Sequence, residues 1–260
     1  MEDLRFFTGT LMSEITLALS GGAARGAYHL GVLQFIEEND IHVKAISATS
    51  IGAIIGASWL CGVSAKEQLE IFKSKEFKKI FSFNFFRGSL YKIDSNAKIL
   101  DRLVPKNNIQ DLETPLYITA VDLQSGENIF FDSGNIKTLC IASSALIPIF
   151  APVHYNGYDL ADGGFIDHIP MQPLHSYGCD IVAVNLHPMY KTDGKGSFYK
   201  NLKRALYLSM YSDSLSAKVN ADIYITSKKL FDYSIFSFSN FDALFDLGYQ
   251  DAREKFSLKL

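Results

Sequence analysis

No excess of positive charge marks this chain. Lys plus Arg number 25 and Asp plus Glu 28 in 260 residues, for a net charge of −3. A nucleic-acid-binding surface usually announces itself as a basic excess, so that class is set aside. Cysteine is scarce: Cys61, Cys140 and Cys179 stand far apart and make no CxxC pair. They supply no disulfide framework, and a reducing compartment suits them best. There is no HExxH and no clustered His/Cys set, so the sequence asks for neither a metal nor a cofactor. The stretch from Met1 to Met12 lacks the charged-then-apolar layout of a secretory signal. Ala45 to Ala65 carries no charge and is long enough to cross a bilayer. Yet it is rich in Ser, Thr, Gly and Ala, and it divides into a strand, a tight turn and a small-residue helix. The expectation is a cytoplasmic protein that can still meet a membrane at its periphery.

What is present is a globular composition. Hydrophobic residues make up 48% and charged residues 20%, enough to bury a sizeable core. Strand-like runs alternate with helical ones. Glu14–Ser20, Val43–Ala48, Pro115–Leu123, Asp180–Leu186 and Asp222–Thr226 read as strands, with Asn128–Asp132 able to pair with the third. Ala27–Glu38, Ile51–Cys61, Asn135–Leu146 and Phe241–Phe256 read as helices. Near-continuous apolar strands between helices predict an α/β fold, a mostly parallel central sheet with helices on both faces. No linker or repeat divides the chain, so residues 1–260 are read as one domain.

Three motifs carry chemistry. Gly21-Gly22-Ala23-Ala24-Arg25-Gly26 lies between a strand and a helix. Free N–H groups and the positive end of a helix there favour an anion, either a phosphate or an oxyanion. As a dinucleotide fingerprint it falls short. Ala23 replaces the second Gly, and the second strand ends in Ala48-Thr49-Ser50, not in an acid. Ala48-Thr49-Ser50-Ile51-Gly52 sits where a strand turns into a helix, the context of a nucleophile elbow. Its plainer reading is a Ser or Thr that caps the helix. Asp162-Gly163-Gly164 is an Asp-Gly turn at the end of a strand, ordinary by itself.

Taken in order, these pieces resemble the patatin-like phospholipase family. The likeness is carried by Ser20–Gly26 (SGGAARG), Ala48–Gly52 (ATSIG), Ser143–Val153 (SSALIPIFAPV) and Asp162–Gly164 (DGG). It runs from about residue 14 to 186 and is weaker over 187–260. The resemblance implies a three-layer α/β/α fold and a serine lipid acyl hydrolase with a Ser–Asp dyad. Carried over, Ser50 is the nucleophile, Asp162 the base, and the N–H groups of Gly21, Gly22 and Ala23 the oxyanion hole. Arg25, Gly26, Gly52, Gly163 and Gly164 support them. The family usually has Gly where this chain has Ala23. The implied substrate is a phospholipid or lysophospholipid at a membrane surface.

The residues suit that chemistry. A serine needs a proton acceptor, and a carboxylate within hydrogen-bond reach can serve. An ordinary Asp is a feeble base, so burial is expected to raise the pKa of Asp162. A rival arrangement is a Ser50–Asp162–His187 triad in that chain order. His29, on the helix after the glycine loop, reads as a packing residue. A general carboxylesterase or acyl-thioesterase is the nearest alternative function, with a non-catalytic lipid-binding protein and a nucleotide-binding enzyme further off. Two aromatic stretches, Phe77–Tyr91 and Leu230–Phe245, fit either a lipid surface or core packing.

Overall fold

The structure, a computed structural model, describes residues 14–78, 81–83, 91–93, 97–189, 191, 196–209, 217–235, 237 and 239–259. The strands are β1 (Glu14–Leu19), β2 (His42–Thr49), β3 (Phe81–Phe83), β4 (Tyr91–Ile93), β5 (Leu116–Asp122), β6 (Asn128–Phe131), β7 (Val153–Tyr155), β8 (Tyr158–Asp162), β9 (Asp180–Val184) and β10 (Ile223–Ile225). The helices are α1 (Ala27–Glu38), α2 (Ile51–Leu60), α3 (Ala65–Lys73), α4 (Lys75–Lys78), α5 (Lys98–Leu103), α6 (Ile136–Ser143), α7 (Phe198–Ser209) and α8 (Phe241–Ser257).

The main sheet runs β10-β9-β1-β2-β5-β8-β7, with β6 also paired to β5. From β10 through β5 every pairing is parallel. At β6, β8 and β7 the pairings are antiparallel. The expected mostly parallel sheet is thus a mixed one, and loop length explains the margin. A parallel return needs a crossover of a dozen residues or more, whereas a tight turn permits only an antiparallel neighbour. The turns at Gly126 and at Asn156-Gly157, all in the left-handed region, are of that tight kind.

Alternation along the strands sorts two cores. Ile15, Leu17, Leu19, Val182 and Val184 face the larger one, with Leu30 of α1, Ile55 of α2 and Leu244 of α8. Ala18, Ile181 and Ala183 face the other, with Met171, Leu174 and Ala217. The uncharged stretch from Ala45 to Ala65 is accounted for by β2, the turn at Ser50 and α2. Among the described residues no helix is long and apolar enough to cross a membrane. Helix α6 stops at Ser143, short of the expected Leu146. The residue before a proline avoids helical dihedrals, and Pro148 disrupts the run two residues beyond Leu146. Helix α3 escaped the sequence reading although Ser64 and Glu67 form a capping box at its start. Cys140 is buried, but Cys61 and Cys179 are only half-buried.

Helices α1 and α8 pack backbone to backbone. A Cβ on Gly31 would collide with the Phe245 carbonyl, and one on Gly248 with the Tyr28 carbonyl. The crossing is latched by Tyr28 Oη donating to Asp251 at 2.7 Å and Tyr249 Oη donating to Glu38 at 2.6 Å. The α8 helix thereby braces α1, whose N-terminus follows the glycine loop. Gly248→Ala should therefore cost about 3 kcal/mol or more, since neither backbone can yield without moving a whole helix. A urea midpoint unchanged from wild type would refute this close crossing.

Candidate active site

The site is assembled at one end of the sheet by β5. Its Thr119 pairs with Thr49 of β2, and the next residue, Ala120, pairs with Asp162 of β8. Ser50, one step beyond Thr49, and Asp162 thus come together although they are distant in sequence.

Ser50 has φ 56° and ψ −126°, a region that L-residues rarely occupy. Its surroundings hold it there. The Ser50 N–H donates to Ser143 Oγ at 2.8 Å, and Ser143 Oγ donates to the Thr119 carbonyl at 2.6 Å. Thr49 Oγ1 donates to the Asp167 carbonyl at 3.0 Å. Ser50 precedes α2 but makes no side-chain cap, contrary to the plainer reading of a helix-capping serine. Its hydroxyl is directed to Asp162 instead. The turn can be this tight only because Gly52 has no Cβ, which would lie 2.5 Å from the Leu19 carbonyl oxygen.

Asp162 is buried, and Gly164 N–H donates to its Oδ1 at 2.8 Å. Burial raises its pKa to about 6, against the opposing pull of the Gly164 amide and the Ser50 hydroxyl. Gly163 lies directly on the Thr119 carbonyl, which leaves no room for a side chain.

The glycine loop closes the other side. Gly21 lies against Ser50, since a Cβ on it would be 3.2 Å from Ser50 Cβ. Its first three carbonyls are engaged from behind. His29 Nε2 meets the Ser20 carbonyl at 2.9 Å, Ser20 Oγ donates to the Gly21 carbonyl at 3.0 Å, and Arg25 N–H donates to the Gly22 carbonyl at 3.1 Å. In a trans peptide the N–H points opposite the carbonyl, so these bonds fix the direction of the Gly21, Gly22 and Ala23 amides. Among the described residues none accepts a hydrogen bond from those amides, whereas the Ala24 amide is taken by the Ile235 carbonyl at 3.0 Å. Ala23 stands at φ 49°, the left-handed conformation for which the usual Gly is better suited. The alanine is accommodated at a local cost of about 1 kcal/mol.

Arg25 is a clamp. Its Nε donates to the Tyr233 carbonyl at 3.0 Å and its Nη1 to the Leu186 carbonyl at 2.9 Å, tying the loop to the end of β9 and to the C-terminal segment. Gly26 packs on Ile51. His29, read from the sequence as packing, is buried and holds the loop through Ser20. Burial lowers its pKa to about 4, so it is neutral at physiological pH. His187 lies edge-on to His168, ring centroids 4.6 Å apart, and burial holds its pKa well below the usual value. Among the described residues the Asp162 carboxyl accepts a hydrogen bond from the Gly164 amide, and the Ser50 hydroxyl is the side chain that acts on its charge. The Asp–His bond that a Ser50–Asp162–His187 triad requires is not among these contacts. Sequence reasoning assigned no role to Ser143, although it lies in one of the motifs that carried the resemblance.

The family model for patatin-like phospholipase matches residues 17–175, more than half of the chain. The chain belongs to the patatin-like phospholipase family. An uncharacterised NTE-family protein of Mycobacterium tuberculosis is 33% identical over 187 residues, covering 69% of this chain and 51% of the relative. Human patatin-like phospholipase domain-containing protein 6 is 27% identical over 223 residues, covering 82% of this chain and 15% of the relative. The chain thus spans about half, or far less, of the length of these relatives. Among solved structures, VipD from Legionella pneumophila aligns with a TM-score of 0.55 at 14% identity, over 95% of this chain and 67% of that one. The type III effector protein ExoU aligns with a TM-score of 0.50 at 16% identity, over 95% of this chain and 53% of that one. At such identities the two structures speak for the patatin-like α/β/α fold.

The raised pKa of Asp162 has a stability signature. Its folded-state pKa lies above the unfolded value of about 4, so ionisation weakens the fold progressively as pH rises from about 4 to about 6. Asp162→Asn, which keeps the shape without the charge, should raise the melting temperature at pH 7. A gain on the order of 2–3 kcal/mol corresponds to the shift. The gain should vanish below pH 4, and a variant that melts lower than wild type at pH 7 would contradict the burial argument.

Proposed function

We propose that this patatin-like phospholipase family member is a serine lipid acyl hydrolase that releases fatty acids from phospholipid or lysophospholipid. The observation that carries the reading is Ser50 held on a left-handed turn, brought by the β5 register beside the buried Asp162 and facing the glycine loop. Asp162 takes the Ser50 proton as Oγ attacks the ester carbonyl, and the carbonyl π electrons move onto oxygen. The Gly21, Gly22 and Ala23 amides receive that oxyanion, their direction set by the bonds to the carbonyls behind them. The oxyanion collapses, the acyl–oxygen bond breaks, and Asp162 returns the proton to the leaving alcohol. Water then attacks the acyl-serine, giving its proton to Asp162, and the acid departs as Ser50 recovers its proton. No step requires a metal or cofactor.

Burial makes this base competent. A carboxylate of pKa about 4 holds a proton too weakly to draw one from serine. At about 6 it is a better acceptor and still mostly ionised at neutral pH.

Ser50→Ala and Asp162→Asn should each lower fatty-acid release about 1,000-fold or more, as loss of a covalent nucleophile or its base does. The assay is mass spectrometry of acids released from mixed phospholipid and lysophospholipid vesicles with EDTA present. Full turnover by Asp162→Asn would remove Asp162 as the base, and a loss in His187→Ala as deep as that in Asp162→Asn would replace the dyad by the triad. Acyl-CoA cleavage without phospholipid cleavage would move the substrate to a thioester. The rate should climb as pH rises through about 6, where Asp162 loses its proton, and stay level above it. A rate that instead falls across that interval would rule out Asp162 as the base.

A further inference from the structure

Of the two readings of the aromatic segments, core packing is the one that most of their described residues fit. Phe77 is buried against Phe72 with ring centroids 4.7 Å apart, and most of Phe77–Tyr91 beyond it lies outside the described residues. In the second segment Leu230, Phe241, Leu244 and Phe245 are buried in the larger core. That segment is mostly packing among its described residues, apart from the half-buried Phe231, Tyr233 and Ile235 and the exposed Ala243.

Helix α7 is built the other way round. Phe198 is 84% exposed, Leu202 48% and Leu208 42%, and Ala205 is exposed between them. Phe198, Leu202 and Ala205 are spaced i, i+4, i+7 and share one face, which looks into solvent. Tyr207 lies toward the opposite side, where its hydroxyl donates to the Pro188 carbonyl and its ring packs on His187 at 5.3 Å between centroids. Arg204 donates to Met189 Sδ at 3.6 Å, and Met189 is itself 39% exposed. An amphipathic helix normally turns its apolar face inward. Here that face is outward, and the helix carries Lys200, Lys203 and Arg204 with no acidic residue between Phe198 and Ser209.

We infer that α7 is a lipid-docking helix, which lies in the headgroup region of an anionic bilayer with Phe198 and Leu202 inserted. Apolar side chains flanked by cations are what such an interface binds. A second copy of the chain fits poorly. A two-fold interface would set the same helix against itself, bringing its cations together with no acid to offset them. The inward side of the same helix leads to the site. Tyr207 packs on His187, His187 on His168, and His168 lies beside Gly21 of the glycine loop. A membrane held by α7 would therefore present its lipids close to Ser50. The inference borrows from the proposed function only this reason for the membrane, and docking can be measured without turnover.

The test uses the full chain carrying Ser50→Ala and co-sedimentation with phosphatidylcholine vesicles, with and without phosphatidylglycerol. The apolar test adds Phe198→Ser and Leu202→Ser to that chain. Partitioning onto phosphatidylglycerol vesicles should fall about 10-fold or more with both apolar substitutions. With Ser50 intact, the Phe198→Ser/Leu202→Ser variant should cleave a soluble short-chain ester at the wild-type rate, because neither residue touches the site. Unchanged partitioning in that variant overturns the inference. Binding of the parent chain that ignores phosphatidylglycerol overturns it too. So does a soluble dimer that the two substitutions break, which would assign the face to a second copy, or a parallel loss of soluble-ester turnover, which would mark damaged packing. Absence of ester turnover in every form would sink the proposed function while leaving the sedimentation result readable.

Discussion

The register of β5 is the constraint on which the rest depends. Thr119 and Ala120 are consecutive residues, and they pair with the strand that ends at Thr49 and with the strand that ends at Asp162. Slipping either pairing by one residue would turn every side chain of that strand to the opposite face. Register is strongly held because both faces of the sheet are buried. The hydrophobic core therefore determines whether a hydroxyl and a carboxyl meet. Ser143 reinforces the same arrangement by bridging the Ser50 amide and the Thr119 carbonyl.

Around that register the molecule tolerates several unfavourable local states. Ser50 and Ala23 hold positive φ without being glycine. Asp162 is a carboxyl inside a desolvated pocket. His29 and His187 are buried and held neutral. Each would relax in an isolated peptide, and each is retained because neighbouring backbone over-determines it. Their concentration around the glycine loop, the Ser50 turn and the end of β8 marks the place where shape is set by something other than stability.

Much of the fold was legible in the residues. Helix α1 runs over Ala27–Glu38 as its apolar spacing indicated, and β1, β2, β5 and β9 lie within a residue or two of their predicted limits. Those elements have strong local signals, β-branched runs or helical periodicity, and tertiary packing agrees with them. The antiparallel margin was not legible, because pairing direction depends on connections whose geometry is set by packing. Helix α7 was missed for a related reason. Its apolar residues obey helical spacing, but nothing in the pattern says whether that face turns inward or outward.

The sequence by itself determined the family and the identity of the motif residues. A glycine loop, a serine at a strand-to-helix turn and an Asp-Gly turn in that order are chemically restrictive, and the small residues around Ser50 are dictated by close backbone approach. Tertiary structure alone decided what those residues do to one another. It set Asp162 beside Ser50 rather than beside a histidine. It also turned His29 from a helix-face residue into the support of the Ser20 carbonyl. Such outcomes depend on burial and on distances between groups far apart in the chain. A linear pattern specifies which groups are available, while only the packed fold sets the dielectric and the hydrogen-bond geometry in which they act.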